Sequence, residues 1–365
     1  MNRTSARPPQ DHALPGSELL FDLDALRMIL GAPHGAALRL RYVEHSPGES
    51  ALVLVALDAR LVAISVGRTA PADAGLQVAW YPDDPALPGL RDGWAGLLAA
   101  LGLPTGDPER LTWVPHRRLV AANGDLIIKL HQRGDETEQA VSRAATVRTV
   151  VPVPDVLRVD ADRAVHVQRR VVGRPLERDD AEPGIDAACE LLHRLLTLDP
   201  AGLVRHAPSD LLAHCRQVAQ LVGFIAPHTT ARLDVMISRL DDAQPMANDV
   251  VAAHGDFNVG QLLRRGDGEL VVVDTDTLCA ASAAYDPASY AANLIAGRPG
   301  DLDDARRVLR RFGQQLAQVD DGALDWYLAA MVLRRLDRGL RRYKRDWPAR
   351  TNRLVDDAEQ LVGLL

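Results

Sequence analysis

Five residues within one short span have types that could do chemistry together: His254 and Asp256, Gln261 five positions after that carboxylate, then Asp274 and Asp276 beyond a second short apolar run. Phosphoryl transfer needs a carboxylate beside the attacking hydroxyl and oxygen ligands that hold Mg²⁺ against nucleotide phosphates. Asp256, with His254 beside it, is the candidate for the first role. Gln261 and Asp274 are candidates for the second. The flanking pattern explains how they would be delivered: apolar Val250 to Ala253 leads in, Leu262-Leu263 leads out, Gly266-Asp267-Gly268 reads as a hairpin turn, and Leu270 to Val273 is a strand ending on Asp274. Asn258 and Asp276 have a plainer reading as turn caps.

A second candidate lies upstream. Asn123-Gly124 between apolar runs is a two-residue hairpin signal, and the strand after it, Asp125 to Leu130, carries Lys129 among aliphatic neighbours. Burying an unpaired ammonium is costly, so Lys129 either snorkels from an edge strand or meets phosphate and a carboxylate. The helical segment Asp135 to Val150 offers Glu138 as that carboxylate, with Glu136 as the alternative. No glycine-rich loop precedes Lys129. Pro115-His116-Arg117-Arg118 stands there instead, so Arg117 or Arg118 is the candidate phosphate contact.

Going back to the start, 47% hydrophobic content over 365 residues can bury a sizeable core in two or three units. A net charge of −7 argues against a nucleic-acid partner and permits a cationic or neutral small substrate. Three unclustered cysteines fit a reducing compartment without a zinc site, and no apolar run is long enough for a membrane helix, so a cytoplasmic location is expected. The first fifteen residues read as loose. A helix from Phe21 to Leu30 precedes four strand-like runs, Ala37 to Glu44, Ala51 to Leu57, Leu61 to Val66 and Leu76 to Tyr81, a sheet with a capping role or that of a lid over a nucleotide. The proline-rich Tyr81 to Gly89 reads as a surface connector. The expected units are residues 1–105, 106–172 and 173–365.

Beyond Leu176 the periodicity is helical, with Asp186 to Leu198, a helix to about Leu221, His228 to Asp242, Leu302 to Val319 and Ala323 to Arg345. The last carries Arg334, Arg335, Arg338, Arg341 and Arg342, read as a solvated basic face. Asp325 and Asp337 are among the carboxylates that could orient a polyol or amine.

His-Gly-Asp with its fifth-residue Gln, followed by a hairpin ending on Asp, resembles the catalytic and metal segments of the aminoglycoside phosphotransferase and choline kinase-like superfamily, whose loop ends on Asn. The Gly260-Gln261 pair most resembles the maltokinase and glucosamine kinase branch, where an N-terminal cap also accompanies the core. A Gln amide oxygen can ligate Mg²⁺ as Asn does. The resemblance implies an α+β, protein-kinase-like fold: a small antiparallel β-rich nucleotide lobe and a mainly helical lobe, with the extra N-terminal cap. It implies ATP and Mg²⁺ as cofactors, Asp274-Thr275-Asp276 as the metal segment with Asp276 as a further ligand, Lys129 paired with Glu138, a linker at Gln168, Arg170 and Val171 that bonds adenine through its backbone, and Asp286 bracing the catalytic loop. The expected activity is γ-phosphoryl transfer to a hydroxyl of a sugar, aminosugar, cyclitol or related natural product. The alternatives are an antibiotic phosphotransferase and a degenerate nucleotide-binding pseudokinase.

Overall fold

The structure is a computed structural model and describes residues 7–67, 75–181, 183–246, 250–316 and 319–365. After a short helix α1 (Leu23–Ile29), strands β1 (Leu38–Ser46), β2 (Ser50–Leu57), β3 (Arg60–Gly67) and β4 (Gln77–Trp80) form an antiparallel meander. Side chains on a strand alternate between faces, and here both faces are covered. Val53, Val55, Val62 and Ile64 pack with Leu221, Ile225, Leu340 and Trp347 from the helical lobe. Leu54, Ala63 and Ala79 pack with α2 (Gly93–Ala100) and with the nucleotide-lobe sheet at Leu119, Ile128 and Leu130. The cap is a wedge that touches both other units. Residues 1–6 lie outside the described part, but the next ten are not loose: the buried Asp11 carboxylate bonds the His45 ring at 2.9 Å and the Gly48 amide at 2.7 Å.

The Tyr81 to Gly89 segment is no surface connector either. Its Asp84 is buried and accepts from the Trp113 indole at 3.0 Å and from the His116 amide at 2.7 Å. Burial pushes the Asp84 carboxyl up, but these donors outweigh it and hold the group below its ordinary value. The turn that stands where a glycine-rich loop would stand is thereby tied to the cap.

Five antiparallel strands make the second sheet, β5 (Glu109–Val114), β6 (Arg118–Asn123), β7 (Leu126–His131), β8 (Val156–Asp160) and β9 (Val165–Arg169), in the order β5-β6-β7-β9-β8. Lys129 lies on the central strand, opposite Val120 and His166, so the edge-strand reading does not apply. Between β7 and β8 runs helix α3 (Gly134–Arg148). The linker then forms a short strand β10 (Gly173–Pro175).

The helical lobe contains α4 (Ile185–Leu195), α5 (Pro208–Ile225) and α6 (Thr230–Asp242), then the segment that carries His254 to Asp276. There β11 (Val250–Ala253) pairs with β14 (Cys279–Ser282), while β12 (Leu262–Arg265) pairs with both β10 and β13 (Leu270–Val272). The entry strand thus belongs to a different sheet from the hairpin, and residues 254–261 bridge the two. Helices α7 (Tyr285–Gly297), α8 (Leu302–Gln315), α9 (Asp321–Leu333), α10 (Arg338–Arg341) and α11 (Trp347–Val362) complete the chain. The expected single helix from Ala323 to Arg345 is broken between Leu333 and Arg338. The reason is packing: Leu333 and Leu336 are buried in the helical-lobe core, whereas Leu340 is buried against the cap, and a straight helix cannot serve both. No helix among the described residues is long and apolar enough to cross a membrane.

Candidate active site

The loop after β11 is held from below. Asp286, buried at the start of α7, accepts from the His254 amide at 2.6 Å and the Gly255 amide at 3.0 Å. The His254 ring is fully buried. Its Nε2 donates to the Val273 carbonyl at 3.1 Å, which leaves Nδ1 bare to accept the Asp256 amide at 3.3 Å. With both nitrogens committed, His254 cannot exchange a proton with a substrate. It is corrected from a catalytic to a positioning residue.

Gly255 has φ +86°, and a Cβ there would lie 2.2 Å from the Thr277 carbonyl oxygen, so no other residue fits. The sharp turn leaves the Asp256 side chain 40% exposed over a cleft. Asn258 caps the next turn, accepting the Gly260 amide at 3.0 Å while its own amide donates to the Asp256 carbonyl at 2.8 Å. Asp286→Ala leaves two buried N–H groups unpaired, so unfolding in denaturant should show a loss of about 2–4 kcal/mol. A loss under about 0.5 kcal/mol would mean that the loop is held by other contacts.

On one side of this loop lies a cleft of about 510 Å³ whose walls include Arg118, Val120, Ile127, Lys129, Gln168, Arg170, Val171, Gln261 and Asp274. The Lys129 Nζ donates to Asp274 at 3.0 Å and to Asp276 at 3.2 Å. Burial pulls the Lys129 ammonium down, but the two carboxylates more than reverse this and hold it above its ordinary value. Asp274 is likewise held well below the usual carboxylate range: Lys129 and Arg118, the latter 3.7 Å away, outweigh the effect of burial. Asp274 sits in the left-handed region at φ 59°, and the preceding Val273 amide donates to the Gln261 carbonyl at 2.9 Å, which locks the two candidate ligands together.

Two expected contacts are not made. Glu138 is exposed on α3 and does not meet Lys129; the residue of α3 that reaches the site is Arg143, which donates to the Asp276 carbonyl oxygen. The rotation of α3 is set by the burial of Thr137, Ala140 and Val147, and that turns Glu138 outward. Arg117, in the turn before β6, pairs with Glu44 of the cap at 3.4 Å, so Arg118, the first residue of the strand and facing the cleft, is the arginine beside Asp274. At the linker, the Arg170 amide donates to the Asp125 carbonyl at 2.7 Å.

Behind Lys129 the His131 and His166 rings stack at 5.3 Å. Burial, then the charge of Lys129, pushes His166 down to about 3. A histidine whose folded pKa is depressed opposes folding once the unfolded chain protonates, below about 6.5, so stability should fall by about 1.4 kcal/mol per pH unit from there toward pH 4. His166→Gln should flatten that slope in chemical denaturation; an unchanged slope would place the titration elsewhere.

The other side of the loop opens into a cleft of about 760 Å³, which meets the first at Pro175, Gly260 and Gln261. Asp256 and Asn258 line it, together with Asp337, Tyr42 from the cap, and Arg334, Arg335, Arg338, Arg341 and Arg342. Arg341 and Arg342 are exposed, but Arg334, Arg335 and Arg338 are partly buried and are not the solvated face that helical periodicity suggests. The break after α9 turns them toward the loop, where the Arg335 guanidinium, only 11% exposed, lies 3.9 Å from Asp256. Sequence reasoning missed this wall; the one signal available was the leucine pair Leu336 and Leu340 sharing a segment with five guanidinium groups. Nor is the cap placed over the nucleotide side: Tyr42 belongs to this second cleft. Asp325 lies in a separate surface cleft with Arg306 and Arg310.

The model of the phosphotransferase enzyme family matches residues 116–321, more than half of the chain. The chain belongs to this family. As its members do, this phosphotransferase acts on hydroxyl groups. No curated protein sequence matches it. Among solved structures, it is similar to a thermostable mutant of the aminoglycoside phosphotransferase APH(4)-Ia in ternary complex with AMP-PNP and hygromycin B, at 14% identity and TM-score 0.56, over 73% of this chain and 98% of that one. A choline/ethanolamine kinase family protein from Mesorhizobium loti matches at 20% identity and TM-score 0.51, over 70% and 88%. The macrolide 2′-phosphotransferase type I matches at 14% and 0.50, over 71% and 95%. At these identities the likeness shows the protein-kinase-like α+β fold of this phosphotransferase and no more.

Proposed function

We propose that this phosphotransferase moves the γ-phosphoryl group of ATP, with Mg²⁺, to a hydroxyl of a polyhydroxylated small molecule such as a sugar, a cyclitol or a related natural product. The observation that carries the reading is the meeting of two clefts at Gly260 and Gln261, with Lys129 and Asp274 on one side and Asp256 on the other. The first cleft suits a nucleotide: Leu111, Val120, Ile127 and Leu263 offer apolar walls for a base, and Lys129 and Arg118 offer positive charge for phosphates. Gln261 and Asp274 would hold Mg²⁺. Among the described residues no group of three or more His, Cys, Asp or Glu side chains converges, which suits an ion that keeps phosphate and water ligands beside one carboxylate.

Bound there, the ion would neutralise charge on the phosphates. Lys129 and Arg118 hold the phosphates, and Asp256 accepts the hydrogen bond of the acceptor hydroxyl, aligns it and takes its proton. His254 and Asp286 keep Asp256 where it can do so. Positioning and charge neutralisation supply most of the rate in such chemistry.

An aminoglycoside acceptor is the second reading, favoured by the hygromycin B complexes among the structural neighbours. The likeness of Gly260-Gln261 to maltokinases and glucosamine kinases favours a sugar. ADP release measured across glucosamine, maltose, cyclitols, choline and aminoglycosides, with Asp256→Ala as the blank, tests the reading. Turnover absent from the blank is expected; equal ADP release by both proteins would refute it.

A further inference from the structure

Five guanidinium groups face two carboxylates, Asp256 and Asp337, in the cleft beside the catalytic loop. Their partners are unevenly shared. Arg341 has Asp337 at 3.8 Å and the Tyr42 hydroxyl at 3.2 Å. Arg334 donates to the Tyr285 hydroxyl at 3.1 Å, and Arg335 to the Ser289 hydroxyl and the Met331 carbonyl, each at 2.9 Å, all neutral acceptors, while the carboxylate nearest Arg335 is Asp256 at 3.9 Å. Among the described residues the Arg338 and Arg342 side chains have neither a hydrogen-bond partner nor a carboxylate within ion-pair distance.

Crowding shows in their protonation. Burial, then repulsion from Arg334, pushes Arg335 down to about 10; burial, then repulsion from Arg342, does the same to Arg338. Guanidinium groups that repel one another, here the partly buried Arg335 and Arg338 and the exposed Arg342, with free N–H forks on the last two, are relieved by an oxyanion, which the planar fork binds through two parallel hydrogen bonds. A polycation in the same place would meet uncompensated like charge.

We propose that the acceptor is an anionic hydroxy compound, whose carboxylate or phosphate monoester is bound by Arg338 and Arg342 while Asp256 holds its hydroxyl. This rests on the phosphotransferase reading of the cleft and narrows it. In the transfer, the acceptor oxygen bonds to the γ-phosphorus, the bond from that phosphorus to the bridging oxygen of ADP breaks, the hydroxyl proton passes to Asp256, and ADP leaves with the bond electrons. Tyr42, bonded to Arg341, makes the N-terminal cap one wall of the anion site, so the cap serves acceptor choice.

Two measurements test it. With Mg-ADP saturating the nucleotide cleft, inorganic phosphate or malonate replaces chloride at constant ionic strength while the melting temperature is followed. Wild type should gain several degrees with at least one anion, and Arg338→Ala or Arg342→Ala, both at positions without structural partners, should lose that gain. The preferred anion distinguishes phosphate from carboxylate chemistry. No gain in wild type, or the same gain in both variants, would overturn the proposal.

The second measurement is ADP release with matched acceptors: a neutral polyol, its amine, its carboxylic acid and its phosphate monoester. An acidic member should exceed the neutral one by about 100-fold or more in kcat/KM, as expected for a bidentate charged contact of about 3 kcal/mol. Arg338→Ala should remove that advantage with the KM for ATP unchanged, and Arg338→Lys should restore part of it. Preference for the neutral or amine member would overturn the proposal. If no acceptor turns over while the anion-specific melting shift persists, it is the phosphotransferase reading that fails and the anion site that stands.

Discussion

Asp274→Ala should lose phosphate transfer by about three orders of magnitude or more, because under the proposed function it removes the carboxylate that would hold Mg²⁺ against the phosphates. Gln261, locked to the same turn, brings an amide oxygen but no charge, and Asp276 cannot step in because its oxygens are engaged at 3.2 and 3.3 Å by Lys129. A second effect has a different readout. Lys129 is 8% exposed and shares its charge between Asp274 and Asp276; with one partner gone, the buried ammonium is half compensated, and stability should drop by about 1–3 kcal/mol. Asp274→Asn separates the two effects, since it keeps an acceptor for Lys129 and still lacks the charge that the metal needs. Steady-state kinetics that retain more than about a tenth of wild-type kcat in either variant would remove Asp274 from the metal site.

Asp256→Asn should be nearly as severe, with a loss of about 10²–10⁴ in kcat and little change in the KM for ATP. The amide cannot take the hydroxyl proton, and its NH₂ can point at the acceptor as a donor where an acceptor of hydrogen bonds is needed. Because the side chain is 40% exposed and bonded to no structural partner nearer than Arg335 at 3.9 Å, the melting temperature should hardly move. Loss of activity with unchanged stability is what separates Asp256 from His254, whose removal empties a buried site and unties the loop. If Asp256→Asn and wild type have equal kcat, the acceptor hydroxyl is aligned by something else.

Much of the architecture could be read from local signals. Asn123-Gly124 announced its hairpin, although Asn123 closes the strand and the two turn residues are Gly124 and Asp125, and the short apolar runs marked the strands of the first sheet. The spacing of Asp256, Gln261 and Asp274 survives translation into space because a three-residue turn and one hairpin separate them. What was not legible depends on packing between distant segments. Helix α3 is largely polar, so its sequence does not say which side faces the sheet, and Glu138 turned out to point away. Arg117 ends the turn and Arg118 opens the strand after it, and the pairing of Arg117 with the cap residue Glu44 takes it out of the cleft, which no local pattern announces. Burial of His254 on all sides could not be foreseen from a motif in which histidine reads as chemistry. The arginine wall was hidden because a segment of helical periodicity bends where Leu336 and Leu340 enter two different cores.

The expected losses of activity presuppose transfer of a phosphoryl group to a small-molecule hydroxyl. The most direct test uses ATP labelled at the γ-phosphate, Mg²⁺ and a deproteinised small-molecule extract as the source of acceptors, with wild type and Asp256→Asn compared side by side. Label should appear in a low-mass product that is released by phosphomonoesterase and retained on an anion exchanger, with wild type only. Label found only as inorganic phosphate, or product formed equally by Asp256→Asn, would contradict the account.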